Sequence, residues 1–204
     1  MRGATFHFNT NIENIEKNKN KIVRVITDKG DYSADNYVLS CASYSPIFAK
    51  MIGEYLPIYP VKGYSITAPI INFDKAPIHS GIDEDNFLAF STMGNKIRFT
   101  SVAEISGYDT SSKPSDYNKI IKLADLLFNN AFDLSKIEYW SGLRPMTPNG
   151  SPIIGRGNTD NMFFNTGHGH LGWTMCAGSA KILSNLIANK TPDIDLNGMT
   201  LNTL

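Results

Sequence analysis

The chain has 204 residues, 42% of them hydrophobic and 19% charged, with 19 Lys+Arg against 19 Asp+Glu. That is enough chain to bury one large core or two small ones, and its composition is that of a globular protein rather than a disordered one. The balanced charge gives no general attraction to nucleic acid or a membrane surface, and no apolar run reaches the roughly 18–20 residues that cross a bilayer.

In chain order, Met1 to Thr5 lacks the apolar region of a signal peptide, and Thr5-Phe6-His7-Phe8 reads as a first strand with nothing before it. Lys21 to Thr27 alternates and is β-branched, with a turn signal at Asp28-Lys29-Gly30-Asp31. Tyr37 to Ser43 is a short apolar run ending in small residues, expected as a strand buried on both faces whose end approaches something closely. Ser45-Pro46 predicts a helix start, with the helix running to about Ile52. The middle of the chain predicts strands over 61–67, 87–91, 96–100 and 102–105, with a hairpin turn at Met93-Gly94-Asn95. A helix capped by Ser115-Asp116 is expected through about Asn129, its apolar face made by Ile120, Ile121, Leu123, Ala124, Leu127 and Phe128. Glu138 to Gly155 holds three prolines and three glycines, which excludes a helix and a regular central strand. Met162 to Asn165 reads as a buried strand, then a glycine-rich turn leads into a helix from about Trp173 to Ala188. The expected class is α+β, divided as 1–55, 56–140 and 141–204, with a mixed sheet and one helix in the middle segment.

Three features bear on chemistry. Gly167, Gly169 and Gly172 precede a helix start, where unpaired N–H groups and a positive partial charge attract anions; a plain tight turn accounts for the same letters equally well. The spacing matches G-x-G-x-x-G, but no second strand and no ribose-binding acid follow it, so a phosphate loop of the first βαβ unit is not expected. His168 and His170 have no Cys or carboxylate cluster with them, and no metal is expected. Arg144, between Leu143 and Pro145, is stiffly held in an apolar setting, suited to a bidentate carboxylate contact worth about 1.5–3 kcal/mol or to a structural ion pair. Cys41 and Cys176 have no metal or redox spacing and read as two buried, reduced thiols of a cytoplasmic protein. No Ser/His/Asp order, paired carboxylates or GK[ST] element supplies a catalytic side chain, so an enzyme built this way takes its chemistry from a cofactor.

The run W-S-G-L-R-P-M-T-P-N-G-S-P-I-I-G, followed by N-T-G-H-G-H-L-G-W-T-M, resembles the FAD-dependent D-amino acid dehydrogenases, relatives of glycine oxidase and D-amino acid oxidase. L-P-I-Y-P-V-K-G-Y-S from Leu56 and R-F-T-S-V-A-E-I-S-G-Y from Arg98 are similar to the same family in the same order, so the resemblance covers nearly the whole chain. It implies parts of a FAD-binding domain around a mixed-sheet substrate domain, without the N-terminal dinucleotide-binding unit. It assigns Arg144 to the substrate carboxylate, with Tyr64 in the substrate pocket. FAD contacts are implied for Gly167, His168, Gly169, His170, Leu171, Gly172, Trp173, Thr174 and Gly63, and for Ile12, Cys41 and Ala42 nearer the adenine and phosphates. The implied reaction passes the α-hydrogen of a D-amino acid as hydride to the flavin, and the imino acid then hydrolyses to a 2-oxo acid and ammonia. The activity is then that of a larger or a split enzyme, in the second case with the missing half on a separate chain as partner; a respiratory quinone is the implied acceptor, with peripheral association at the inner face of the plasma membrane. Thr100-Ser101, Asn149 and His170 depart from the family, which there has a glycine pair, an aspartate and a small hydroxyl residue. A non-catalytic truncated product and a glycine- or sarcosine-type oxidase are the alternatives.

Overall fold

The computed structural model describes residues 3–203. Met1 and Arg2, part of the start read above, lie outside the described residues. The chain divides into two compact units, Met1–Tyr59 with Pro145–Leu204, and Pro60–Arg144. The first and last segments of the chain therefore form one unit, and the divisions fall after Tyr59 and Arg144 rather than after 55 and 140.

In the first unit, β1 (Ile12–Asn18), β2 (Lys21–Thr27) and β3 (Gly30–Tyr32) form an antiparallel sheet in that order. No strand occupies Thr5 to Phe8; the first is β1, and Phe6 and Phe8 stand 67% and 77% exposed. Ile12 and Ile15 sit three residues apart, a spacing that hides a strand. The register shift between Ile12 and Asn14 lets both isoleucines reach the same core.

A second sheet has the order β10-β11-β4, from β4 (Tyr37–Leu39), β10 (Ile153–Arg156) and β11 (Met162–Thr166). β11 runs parallel to β4, with Met162 opposite Tyr37 and Phe164 opposite Leu39. Strand β4 stops at Leu39, earlier than the apolar run suggests, because Ala42 turns into the left-handed region at φ +49°. Its burial is one-sided: Leu39 is in the core and Val38 is 44% exposed. Helix α1 (Ser45–Met51) follows, with Pro46 in its first turn, where a missing N–H costs nothing. Ser45 lies inside the helix rather than capping it, because its hydroxyl is taken by Thr166 at 2.7 Å.

Polar bonds tie the distant segments of this unit together. The buried Asn161 side chain accepts from the N–H of Ile22 at 2.8 Å and donates to its carbonyl at 2.9 Å, extending β2 as a strand partner would. The Glu54 carboxylate, 5% exposed, accepts the N–H groups of Asn158 and Thr159. Helix α3 (Gly172–Ile187) lays Leu183 on Ile154 and Phe163.

The second unit is a five-stranded sheet of order β6-β7-β8-β5-β9. Its strands are β5 (Tyr59–Pro69), β6 (Gly81–Asp83), β7 (Leu88–Met93), β8 (Lys96–Glu104) and β9 (Glu138–Met146). The β6–β7, β7–β8 and β8–β5 pairings are antiparallel. Strands expected at 96–100 and 102–105 are one strand, β8, interrupted by a bulge rather than a turn. Of the proline-rich segment, residues 138–146 form β9, at the sheet edge, where Pro145 need not donate to a neighbour, and Pro148 and Pro152 lie between β9 and β10. Helix α2 (Asn118–Leu127) begins after a 3-10 turn at Pro114–Tyr117, and Asp116 accepts the Lys113 N–H at 2.9 Å. Ile120 and Ala124 on α2 pack with Tyr64, Ile66, Ala68 and Phe99.

Replacing Asn161 by Ala leaves the buried N–H and carbonyl of Ile22 without partners. Urea unfolding followed by circular dichroism is expected to show a loss of about 2–4 kcal/mol, two unsatisfied groups at about 1–3 kcal/mol each with partial rescue by water.

Candidate functional site

In the first unit, the carboxyl ends of the parallel strands β4 and β11 lie side by side, the place where open parallel sheets hold ligands. The two exits are joined by side chains. The Thr166 hydroxyl meets Ser45 at 2.7 Å and donates to the carbonyl of Ala42 at 3.3 Å. Cys41 and Ala42 are thereby held next to the turn that opens at Gly167. Ile12 is placed elsewhere. It lines a shallow apolar depression of about 360 Å³ with Val25, Tyr32 and Tyr37, toward the amino end of β4.

The turn from 167 to 172 is shaped by contacts that fix its residue types. Gly167 has φ +75°, and a Cβ there would stand 2.8 Å from a methyl of Thr147, so both conformation and space require glycine. The Gly169 N–H donates to the carbonyl of Pro145 at 3.0 Å, which ties the turn to the residue after Arg144. His168 points inward. Its Nε2 lies 3.0 Å from the Ser179 hydroxyl, which itself donates to the Met175 carbonyl at 2.9 Å. With that proton spent, Ser179 accepts, so Nε2 carries the hydrogen and His168 clasps the turn to α3. Burial pushes the His168 pKa down.

His170, Leu171, Trp173 and Thr174 are exposed around the start of α3, Trp173 at 93%. Leu171 is the N-cap residue and no side chain caps the helix. Among the described residues, the N–H groups of Gly172, Trp173 and Thr174 have no partner, which leaves donors and a positive helix end facing outward. Cys176, expected buried, is exposed on the first turns of this helix, because the buried stripe there runs through Ser179 and Leu183.

In the second unit, the Arg144 guanidinium is partly buried over Gly63. A Cβ on Gly63 would stand 2.3 Å from Cζ and Nη2 and 2.4 Å from Nη1, too close for the guanidinium to stay where it is. Nη1 donates to the Val102 carbonyl at 2.9 Å, and no acid among the described residues pairs with Arg144. Four of its five N–H donors are left open, and desolvation pushes its pKa down. Val102 has φ +70°, an outlier for a β-branched residue that costs on the order of 1–3 kcal/mol.

Tyr64 is placed differently from its neighbour. Side chains alternate along β5, so Lys62 and Tyr64 turn to the α2 side while Gly63 and Arg144 occupy the other. The Tyr64 ring is 3% exposed and stands edge-on to Tyr117 at 5.3 Å, and its hydroxyl donates to Glu104. That bond is the main cause of its raised pKa. Lys62, 2% exposed, donates to the Ser111 carbonyl and faces Asp109 at 3.8 Å. Burial opposes its charge, but Tyr64, Asp109 and Glu104 outweigh it and hold the ammonium above its ordinary value. Lys62, Glu104, Val102 and Ser179 receive no functional role from the sequence alone. A lysine inside the otherwise apolar V-K-G-Y-S-I strand is the one signal that could have drawn notice to this cluster.

Residues 1–186 match the family model described as FAD dependent oxidoreductase. The chain belongs to that family. It is 41% identical over 197 residues to D-amino acid dehydrogenase 2 of Mesorhizobium japonicum, covering 97% of this chain and 47% of that protein. It is 44% identical over 194 residues to a D-amino acid dehydrogenase of Granulibacter bethesdensis, covering 95% and 46%. The chain thus spans about half the length of the curated relatives it matches. In fold it is similar to glycine oxidase from Geobacillus kaustophilus (TM-score 0.80, 20% identity, 94% of this chain and 51% of that one). L-proline dehydrogenase from P. horikoshii superposes with TM-score 0.81 at 17% identity, over 94% and 52%. Among the described residues no helix is long and apolar enough to cross a membrane, and no group of His, Cys, Asp and Glu is placed to hold a metal ion.

The sign of the His168 shift sets a pH dependence. A folded-state pKa below the unfolded value of about 6.5 means the unfolded chain takes up the proton first. Stability is therefore full above that unfolded value and falls as pH drops below it, until the folded value is passed. Replacing His168 by Gln is expected to flatten this part of the stability–pH profile, measured by denaturant unfolding between about pH 5 and 8, where histidine titrates.

Proposed function

We propose that this chain forms the flavin-loop and substrate half of an enzyme that oxidatively deaminates D-amino acids to 2-oxo acids and ammonia. The observation that carries the reading is Arg144: a partly buried guanidinium with one donor spent on a backbone carbonyl, four open, and no acid of its own. A carboxylate is the group that completes such a fork, and the relatives at 41–44% identity are D-amino acid dehydrogenases.

The residues at the ends of β4 and β11 fit a flavin: the start of α3 presents the N–H groups of Gly172, Trp173 and Thr174 without partners among the described residues, beside the exits of both strands. Gly167 to Thr174, with Cys41 and Ala42, would hold FAD there, and the family resemblance assigns Gly63 to the cofactor as well. Ile12, in its apolar depression, is assigned to the adenine. Bound FAD supplies the acceptor for the substrate's α-hydrogen. The chain's own part is to bind and orient. Arg144 fixes the carboxylate, and the open helix end favours negative charge by up to about 2 kcal/mol where partly buried. No side-chain base is assigned, since a substrate amine that enters neutral leaves no proton for the protein to remove.

The dinucleotide-binding half, on the same polypeptide or on a partner chain, completes the enzyme, with a respiratory quinone as electron acceptor at the inner face of the plasma membrane. Two results test this reading. Titrating FAD into the chain alone is expected to give no stoichiometric binding by flavin fluorescence, whereas adding a chain with the dinucleotide-binding half restores it. Tight binding by the chain alone would show that the second half is dispensable. In the assembled enzyme, Arg144→Ala is expected to raise KM for D-alanine roughly 10- to 150-fold with a smaller loss in kcat, as dye reduction would report. An unchanged KM would remove Arg144 from the carboxylate.

A further inference from the structure

Arg144, on β9, is held by groups of two other strands, β5 and β8. On β5, Gly63 is the residue whose missing side chain gives the guanidinium its place. On β8 an extra residue stands opposite it: Lys62 pairs with Glu104 and Tyr64 with Ser101, so Val102 and Ala103 face Gly63 alone. The bulge turns Val102 to φ +70° and aims its carbonyl at Arg144 Nη1, 2.9 Å away. The other face of the sheet clamps the same spot. Tyr64, next to Gly63, donates its hydroxyl to Glu104, two residues beyond Val102, and Lys62 lies 5.3 Å from the Tyr64 ring.

We propose that Gly63, Val102 and the Tyr64–Glu104 pair are positioning residues that preset the Arg144 guanidinium, a seat on one face of the sheet and a clamp on the other. The inference rests on the reading of Arg144 as a carboxylate site. A flexible arginine loses rotamer freedom when it binds a carboxylate. One confined by a strand beneath it and a spent Nη1–H has lost that freedom on folding, so binding costs less. Alanine at 63 occupies the place of the guanidinium and must displace it. Phenylalanine at 64 keeps the ring against Tyr117 but releases Glu104, and with it the restraint on the bulge. Tyr64 then acts on the carboxylate through Arg144, from the opposite side of the strand.

The test uses the full chain labelled with ¹⁵N-arginine, the Arg144 signals being assigned by their loss in Arg144→Lys. The wild type is expected to show separate, slowly exchanging Nη signals for Arg144, and Gly63→Ala and Tyr64→Phe to collapse them to an average. Unchanged backbone amide spectra elsewhere would show that both variants fold, and Tyr64→Phe, which loses one oxygen, guards against misfolding in Gly63→Ala. Wild-type Nη signals persisting in Gly63→Ala, or averaged signals in the wild type itself, overturn the proposal; persistence in Tyr64→Phe overturns the clamp. Acetate titrated into the same samples separates the two ideas. A rise of tenfold or more in its Kd for Gly63→Ala supports both. Collapse of the Nη signals with no acetate binding to the wild type keeps the positioning and defeats the carboxylate reading.

Discussion

The parallel pairing of β4 with β11 is the constraint on which the first unit depends. It joins residues 37–39 to residues 162–164, and everything between them in sequence has to leave and return. A long excursion adds only slowly to the entropy of closing such a pair, since that cost grows with the logarithm of loop length. What holds the closure is specific: Thr166 to Ser45 and Ala42, Asn161 to Ile22, Glu54 to the 158–159 turn. Each brings a side chain of one segment to the backbone or side chain of the other. The carboxyl ends of two parallel strands then open side by side, and a ligand loop has walls on two sides.

Arg144 shows the same economy in the second unit. A charge taken partly out of water is costly unless something compensates it. Here the compensation is partial, a single backbone carbonyl, offered by a residue forced into an unfavourable conformation. Strain at Val102, a forbidden Cβ at Gly63 and four open donors on one side chain are three departures from good packing at a single place. Such departures gather where binding, rather than stability, sets the residue.

Much of this was legible in the residues. The proline and glycine run excluded a helix over 138–155, the period of Ile120 to Phe128 placed α2, and the buried run at 162–165 with glycines after it placed β11 and the start of α3. The G-L-R-P segment singles out Arg144 from the residues alone. Strand β1 was hidden because a register shift between Ile12 and Asn14 puts residues three apart on one face, which imitates a helical spacing. Thr5 to Phe8 looked like a strand because aromatic residues favour strands, yet a strand also needs a partner, and none pairs there.

The sequence by itself determined local matters: where the backbone can turn, where it must stay extended, and which arginine is held stiffly, because proline, glycine and β-branched residues act on their own dihedral angles. Only the tertiary structure decided which side of a strand each functional residue serves. Tyr64 and Gly63 are neighbours in the chain and lie on opposite faces of the sheet. His168 turns in to clasp Ser179, while His170, two residues on, faces water. Faces are set by pairing register and by a bulge on a strand some forty residues away, and no local preference of residues 63 or 64 encodes them.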